Sequence, residues 1–413
     1  MSADAPPAPA HTPARGVTAL VAATAASVTG DGMIIAAAPL LAASITRDPL
    51  AIASITAAGF APWLLLGLPA GALVDRWNRK TVMISADLAR ATILAGVVAL
   101  LTTDFLTVPV LVAAIFLIGV ASCFFEPASH AILPALVGRS PEQLTKLNGR
   151  LWSADTFGRS LAGPPIGSVS YTTGPALPFG LDLATFLISA ALLTRVKPAP
   201  VTAAPRATMR ATIAEGLTYL LRHPVLRSLA LGMTGYNLGY NLAAATLILY
   251  AQDILHINTA SYGLLLGTGA LGATAAGPLV PRIIRNRTPR QVYAAAFALQ
   301  AACWALVVIT PNAWITAATL AALGIGSAVV TINSASIRQH LTPDTMLGRI
   351  TAATRLLGIG SAALGALIGG AIATLTTLTT AIMTAVALLA ACALAFIVSR
   401  EPRTDPRPDQ DAR

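Results

Sequence analysis

Long apolar stretches that could each cross a lipid bilayer restrict the fold of this chain more than any other feature. Of its 413 residues, 55% are hydrophobic and only 11% are charged, whereas about a quarter of an ordinary soluble domain is charged. A helix needs about 20 apolar residues to cross the ~30 Å hydrocarbon layer. We therefore predict an all-α membrane protein with twelve transmembrane helices, at 16–42, 50–74, 80–103, 108–132, 150–172, 176–196, 225–251, 259–281, 290–310, 312–335, 348–373 and 377–399.

The positive charges are concentrated on one side of this topology. The net charge is +10, and 23 of the 27 Lys and Arg residues fall in the tails, in the even-numbered loops or at the ends of the spans that adjoin those loops. The others are Arg47 in a loop of the other side and Arg90, Arg159 and Arg355 inside spans. The positive-inside rule then places both termini in the cytoplasm of a multi-pass plasma-membrane protein. The basic surface suits anionic lipids rather than nucleic acid.

The longest polar interruption divides the spans six and six. We predict a disordered N-terminal tail at 1–15, a six-helix bundle at 16–196 and a linker at 197–224 that contains a short amphipathic helix. A second six-helix bundle follows at 225–399, and a C-terminal tail at 400–413.

The two halves also repeat in sequence. "GALVDRWNRK" at 71–80 matches "GPLVPRIIRN" at 277–286, and a second matching pair lies at nearly the same spacing. An even number of spans per half gives a parallel repeat. Duplicated halves of this kind place a cavity at their interface and expose it alternately to each side of the membrane.

The loop between spans 2 and 3 carries the most specific motif. Its Gly-x-Leu-x-Asp-Arg pattern resembles the signature loop of the major facilitator superfamily, and that resemblance implies the major facilitator fold. It also implies that Asp75 meets the N-terminus of span 11 and closes a cytoplasmic gate, with Arg76, Arg79 and Lys80 holding the turn. Gly71 would let two helices approach closely. The alternative is a generic positive loop.

Other stretches resemble one branch of that superfamily. "VTGDGMIIAAAPLL", "FFEPASHAILPALVG" and "LNGRLWSADTFGRSLAGPPIG" resemble macrolide-efflux and siderophore-exporter-like proteins. Gly163, Pro164 and Gly167 resemble the bend of antiporters, although a common helix kink would look the same. Asn78 stands where the family usually has Gly, and we expect it to tolerate a left-handed turn there.

Ionisable groups inside spans are candidate functional groups, because they are costly to bury in a membrane. Asp31, near the middle of span 1, is our first candidate for binding a proton or substrate; a structural hydrogen bond is the alternative. Asp155 and Arg159 are spaced for an intrahelical pair, and Asp155 is a further candidate for binding the proton. With Arg355, Arg159 could attract an anionic or carbonyl-rich substrate, or the arginines could pair only with nearby acids.

The remaining candidates have weaker signals. Glu126 is a second protonatable group or a partner for a basic loop residue. Asp87 and Arg90 are expected to pair and support the gate. Tyr236 and Asn237 suit an amphipathic substrate, or belong to an interfacial belt.

Several classes of protein find no support in the sequence. There is no nucleotide-binding loop for ATP hydrolysis, so transport would use a gradient. The sequence has no metal-ligand spacing either. We therefore predict a secondary transporter that needs no metal or cofactor and is not an enzyme, and we expect it to be a monomer. Its partners would be a small-molecule substrate, protons and lipids. We expect an exporter of drugs or natural products by proton antiport; a siderophore exporter or an uptake symporter or facilitator are the alternatives.

Overall fold

The computed structural model describes residues 13–74, 76–138, 140–196 and 209–399. The predicted gate residue Asp75, residues 1–12, residues 197–208 of the linker and the tail at 400–413 lie outside the described residues. The regular structure of the described residues is entirely helical. This confirms the predicted all-α membrane fold.

The helices of the first half follow the predicted spans closely. They are α1 (Pro13–Ile45), α2 (Pro49–Val74), α3 (Arg79–Thr102), α4 (Val108–Ala131), the short α5 (Leu133–Val137), α6 (Pro141–Asp155), α7 (Gly163–Thr173) and α8 (Leu177–Thr194). A π-helical segment, Thr156–Ala162, joins α6 to α7.

The second half has the same plan. Its helices are α10 (Pro224–Ala244), α11 (Leu247–Asp253), α12 (Thr259–Ala276), the short α13 (Val280–Ile284), α14 (Pro289–Ile309), α15 (Ala313–Leu341), α16 (Asp344–Leu375) and α17 (Leu378–Val398). A 3-10 turn, Gly277–Leu279, separates α12 from α13. The predicted amphipathic helix of the linker is α9 (Met209–Arg222).

Twelve crossings result, although two of them are broken. Ten helical segments of the described chain are long and apolar enough to span a membrane. The crossings predicted at 150–172 and 225–251 are instead divided, the first by the π segment and the second between α10 and α11. Interrupted helices are tolerated inside a membrane where neighbouring helices or a hydrated cavity satisfy the backbone.

An even number of crossings brings both ends of the described chain to one face. We call this the terminal face, which carries the start of α1, the start of α3 and the end of α17; the opposite face carries the loop at 46–48. Helix α9 lies at the terminal face, where Glu215 forms an ion pair with Arg349 of α16. Gly216 of α9 also packs on the Arg349 backbone.

The two halves meet along two antiparallel helix pairs, α2 with α16 and α7 with α12. Small residues permit these approaches. A Cβ on Gly263 of α12 would lie 2.0 Å from the carbonyl oxygen of Pro164 on α7, and one on Gly370 of α16 would lie 2.5 Å from the Ala53 side chain on α2. Ser168 on α7 also donates a hydrogen bond of 2.9 Å to the Ala260 carbonyl. Close helix packing at small residues is therefore one component of the interface.

At the opposite face, polar contacts join the two halves. Arg47, after α1, forms an ion pair with Asp253 and donates a hydrogen bond of 2.7 Å to Gln252. Asp48 accepts a hydrogen bond of 2.6 Å from the Thr374 hydroxyl on α16. This hydrogen bond has the largest effect on the pKa of Asp48 and lowers it below its usual range, whereas partial burial acts in the opposite direction.

Candidate functional site

Arg159 is the centre of a charge cluster near the middle of the spans. It belongs to the π segment, and such segments are frequent at functional sites. Its Nε donates to Asp155 at 3.0 Å and its Nη2 to Glu126 at 3.2 Å, while Nη1 lies 3.4 Å from Asp31. The predicted Asp155–Arg159 pair is therefore present, and one guanidinium contacts three carboxylates from three different helical segments.

Small residues of α1 let that arginine come close to Asp31. A Cβ on Gly32 would lie 2.6 Å from the Arg159 carbonyl oxygen, and one on Gly163 would lie 2.5 Å from the Cα of Gly32. Gly167 packs in the same way on the backbone of Met33. The predicted bend motif at Gly163, Pro164 and Gly167 thus fixes the distance between α7 and α1. The change of helical geometry itself lies one turn earlier, in the π segment.

A second arginine approaches Asp31 from α3. Nη1 of Arg90 lies 3.8 Å from Asp31, and Arg90 also forms the predicted ion pair with Asp87. Arg90 is fully buried between two rings, with its guanidinium 4.5 Å from the centre of Phe125 and 4.2 Å from that of Phe186. Asp87 and Arg90 thus belong to the charged interior, and their predicted support of the gate stays a prediction.

The cluster joins the two halves through Glu126. Its Oε2 accepts a hydrogen bond of 3.2 Å from Arg355 of α16, in the other half. The Arg355 guanidinium also lies 4.4 Å over the ring of Trp63 on α2. Sequence reasoning favoured a basic loop residue as the partner of Glu126; that expectation is wrong, because its partners are arginines inside spans.

The side chains at this junction remain accessible. The exposed fraction is 28% for Arg159, 33% for Glu126, 45% for Asp155 and 55% for Arg355, whereas Asp31 is 11% exposed. Charged groups with these exposures at a helix interface can exchange protein contacts for contacts with a solute. The arrangement offers both arginine donors and carboxylate acceptors to a molecule that enters between the halves.

The aromatic candidates occupy a different environment. Tyr236 is 5% exposed and packs on Phe297, with the ring centres 6.1 Å apart. Asn237 donates a hydrogen bond of 2.9 Å to the Met233 carbonyl of its own helix. Tyr236 therefore lies in the core of the second half. The sequence left a substrate-binding and an interfacial position open for Tyr236, because helical spacing alone does not say which neighbours its ring meets.

Among the described residues, the helix contact predicted for Gly71 of the gate motif is not formed. A Cβ added to Gly71 would meet no atom within 4 Å, so the close helix approach expected there is absent. Lys80 donates a hydrogen bond of 2.6 Å to the Thr194 carbonyl at the end of α8. Arg76 and Arg79 lie at the terminal face, before and at the start of α3.

Asn78 does not adopt the left-handed turn that the motif suggested. Its φ is −68°, and its side chain accepts a hydrogen bond from the Thr81 backbone N–H. An extended backbone is the normal geometry of an N-cap residue, so Asn78 serves as the cap of α3. The expectation of a left-handed residue here is wrong.

Asp182 is a residue that the sequence analysis did not select as a candidate. Asp182 is fully buried on α8, next to Gly30, where an added Cβ would lie 1.8 Å from the carboxylate Oδ1. Its only signal in the sequence was a carboxylate within an apolar run. The flanking glycines of Asp31 gave a further hint, since Gly30 leaves room for this carboxylate.

Comparison with known proteins assigns the chain to a family. Residues 9–412 match the family described as Transmembrane secretion effector. The chain belongs to the major facilitator superfamily. Within it, the chain falls in the siderophore-exporter-like branch, as its relatives indicate, and it is a multi-pass membrane transporter rather than an enzyme.

Two relatives illustrate the branch. An uncharacterized MFS-type transporter of Mycobacterium tuberculosis is 29% identical over 352 residues, which cover 79% of this chain and 78% of the relative. The enterobactin exporter EntS of Shigella boydii is 28% identical over 390 residues, covering 91% and 90%.

Solved structures confirm the fold of this major facilitator protein. The crystal structure of the nucleoside transporter NupG superimposes with a TM-score of 0.78 at 11% identity, covering 92% of this chain and 98% of that one. A bacterial homolog of the human lysosomal transporter Spinster, in an inward-facing and occupied conformation, gives 0.75 at 11% identity, covering 94% and 97%. At such identities the likeness concerns the fold alone.

Proposed function

We propose that this protein exports amphipathic small molecules across the bacterial inner membrane in exchange for protons, by alternating access. The observation that carries the proposal is the contact between Glu126 and Arg355, which joins the charge cluster of the first half to the second half. A solute bound at this junction would contact both halves. Its binding would therefore favour one relative position of the halves over another.

The terminal face is proposed to be cytoplasmic. The Lys and Arg residues that lie outside spans are concentrated in the loops and tails of that face, as the positive-inside rule requires of a cytoplasmic side. Contacts with anionic lipids and a monomeric state complete the proposal.

Alternating access is supported by the uneven contacts between the halves. Arg47, Asp48 and their partners join the halves at the opposite face, while the charge cluster stays partly exposed. This corresponds to a conformation open toward the cytoplasm. The gate motif would engage in the other conformation, so Asp75→Asn should lower turnover while leaving substrate affinity nearly unchanged. A selective loss of affinity would count against this role.

The substrate class follows from the chemistry of the junction. Arg159 and Arg355 offer guanidinium donors to anionic or carbonyl-rich groups, and Trp63 offers an aromatic face. An amphipathic drug or natural product fits this combination. A siderophore is the second candidate, favoured by the similarity to the enterobactin exporter EntS along 91% of this chain.

The test is an efflux assay on cells that express the protein. Accumulation of a panel of fluorescent and antibiotic compounds, and of enterobactin, would be compared with and without a protonophore. We expect export of at least one compound, abolished by the protonophore. We also expect Asp31→Asn to impair export, while Glu142→Gln, an acid of α6 exposed at the terminal face, leaves it unchanged. Export that persists without the proton gradient would refute antiport.

A further inference from the structure

Asp182 is a carboxylate without a cationic partner in the interior of the first half. It is 0% exposed on α8, and within the described residues no Lys, Arg or His nitrogen lies within 4 Å of it. Its Oδ2 has no hydrogen-bond partner there either. A fully buried ionised carboxylate with neither a cation nor a full set of donors is strongly unfavourable.

The groups around Asp182 do not compensate for this. Its charged neighbours are Asp31 from α1 and Asp87 and Arg90 from α3, which are two carboxylates and one guanidinium. Helix α7, which also packs on α8, carries no acid or base other than Tyr171, whose hydroxyl bonds to Ser44. The electrostatic surroundings of Asp182 are therefore mainly negative.

The hydrogen bonds of Thr185 fit a protonated carboxyl. The Thr185 hydroxyl lies 2.7 Å from the Asp182 backbone carbonyl and 3.0 Å from the side-chain Oδ1. A hydroxyl has one proton to donate. If that proton goes to the closer backbone carbonyl, the contact with Oδ1 is satisfied only when the carboxyl itself donates to the hydroxyl.

Asp31 differs from Asp182 because arginine side chains lie next to it, although Asp31 was the first candidate for proton binding in the sequence. It lies 3.4 Å from Arg159 and 3.8 Å from Arg90, so it forms an ion pair with each of these two guanidiniums. Arg90 also forms an ion pair with Asp87. The arginines near Asp31 are therefore paired with other carboxylates rather than with Asp182.

We propose that Asp182 is the carboxyl group that binds the coupling proton in this conformation, and that Asp31 connects it to the substrate junction. The proposal rests on the proton antiport proposed above. Asp31 contacts Arg159, which in turn contacts Glu126 at the junction. When a substrate binds Arg159, the contact between Arg159 and Asp31 is lost. Asp31 then accepts the proton from Asp182, whose O–H bond breaks.

Buried hydroxyl groups lie on α1, about one and two helical turns before Asp31 on the side of the terminal face. Thr24 and Ser27 on α1 are buried, and their side-chain oxygens have no partner among the described residues. The Nε of Arg90 is likewise unpartnered. Buried polar atoms of this kind are commonly satisfied by ordered water, which could pass a proton toward the terminal face.

The first test detects the proton without any substrate. Infrared difference spectra of the purified full-length protein between pH 6 and pH 9 report the C=O stretch of protonated carboxyl groups, which shifts in D2O. We expect a band that Asp182→Asn removes and that Asp31→Asn and the exposed-site control Asp155→Asn retain. A band unchanged by Asp182→Asn overturns the proposal, as does a band lost only in Asp31→Asn.

The second test separates this proposal from antiport itself. In proteoliposomes, uptake of a compound exported by cells would be driven either by a pH gradient or by its own concentration gradient. Asp182→Asn resembles a permanently protonated carboxyl, so we expect it to abolish pH-driven uptake and to retain exchange of substrate. Retained pH-driven uptake in the variant overturns the role of Asp182. If uptake by the wild type does not depend on the pH gradient, proton antiport is refuted. In that case the infrared band still reports whether Asp182 is protonated.

A bound sodium ion is the alternative explanation of these oxygen atoms. Sodium chloride would then remove the infrared band or drive uptake in place of the pH gradient, and either result overturns proton binding at Asp182. We expect sodium chloride, compared with potassium chloride, neither to remove the band nor to drive uptake.

Discussion

Arg355 and Glu126 join the two halves of this transporter, with Nη2 of the arginine 3.2 Å from Oε2 of the carboxylate. The other carboxylate oxygen accepts a hydrogen bond from Arg159 of the first half at 3.2 Å. Glu126 therefore contacts an arginine of each half. A substrate that replaces either contact changes the balance between the halves, which makes this carboxylate central to the proposed coupling.

Replacing Glu126 should affect transport more than stability. Both side chains of the pair are partly exposed, so we expect Glu126→Gln to change the free energy of unfolding by less than about 1 kcal/mol. Export should fall because one charged acceptor at the junction is lost. Thermal unfolding in detergent and efflux from cells measure the two effects. Equal loss of stability and export would indicate a structural role only, and Glu142→Gln provides the control.

Arg159 should not be replaceable by lysine. Its planar guanidinium contacts Asp31, Glu126 and Asp155 through three different nitrogens, and a lysine ammonium cannot reproduce that geometry. We expect Arg159→Lys to lower the export rate about tenfold, which corresponds to about 1.4 kcal/mol. Arg150→Lys, in an exposed position of α6, should export normally. Full activity of Arg159→Lys would show that its positive charge alone is sufficient.

The packing of α7 on α1 should tolerate no added methyl group at Gly163. A Cβ there would lie 2.5 Å from the Gly32 backbone, which cannot move aside as a flexible side chain would, so we expect Gly163→Ala to cost about 1–3 kcal/mol. Gly96 of α3 has open space around its Cβ position, and Gly96→Ala should instead stabilise by about 0.5–1 kcal/mol. Thermal unfolding of both variants measures the contrast; a stable Gly163→Ala protein would contradict the packing.

A disulfide across the opposite face should arrest transport. Asp48 and Thr374 belong to different halves and share a hydrogen bond of 2.6 Å. We expect Asp48→Cys with Thr374→Cys, in a background with Cys123, Cys303 and Cys392 replaced by serine, to cross-link on oxidation and lose export reversibly. Each single cysteine variant should remain active under oxidation. Export by the cross-linked protein would argue against opening of this face during transport.

The pH dependence of export should not come from Asp48. Its pKa lies below the usual range, chiefly because Thr374 donates a hydrogen bond to the carboxylate. A lowered pKa means that the contact is fully present above the unfolded value of about 3.9 and is lost only as the pH falls through the lower folded value. We therefore expect Asp48→Asn to leave the shape of the export profile between pH 5 and pH 8 unchanged. A shifted profile would assign Asp48 a part in proton coupling.

The sequence by itself predicted the membrane crossings of this protein. Twelve apolar stretches of sufficient length leave few alternatives to twelve crossings, because a lipid bilayer requires every backbone group of a crossing to be bonded internally. Local spacing likewise predicted the pairs Asp155–Arg159 and Asp87–Arg90, since residues three or four apart share a helix face. The motif of the second loop and the repeat indicated the superfamily.

Tertiary structure alone decided which charges meet. Glu126 and Arg355 are 229 positions apart, and Asp31 and Asp182 lie on different helices, so no local period relates them. Their contacts depend on glycines such as Gly30 and Gly32, whose missing Cβ atoms let particular helices approach at particular depths. The approach of residues far apart in sequence is decided by packing. Asp182 was therefore not selected from the sequence, and it became the proposed proton site only from the positions of α1, α3 and α8.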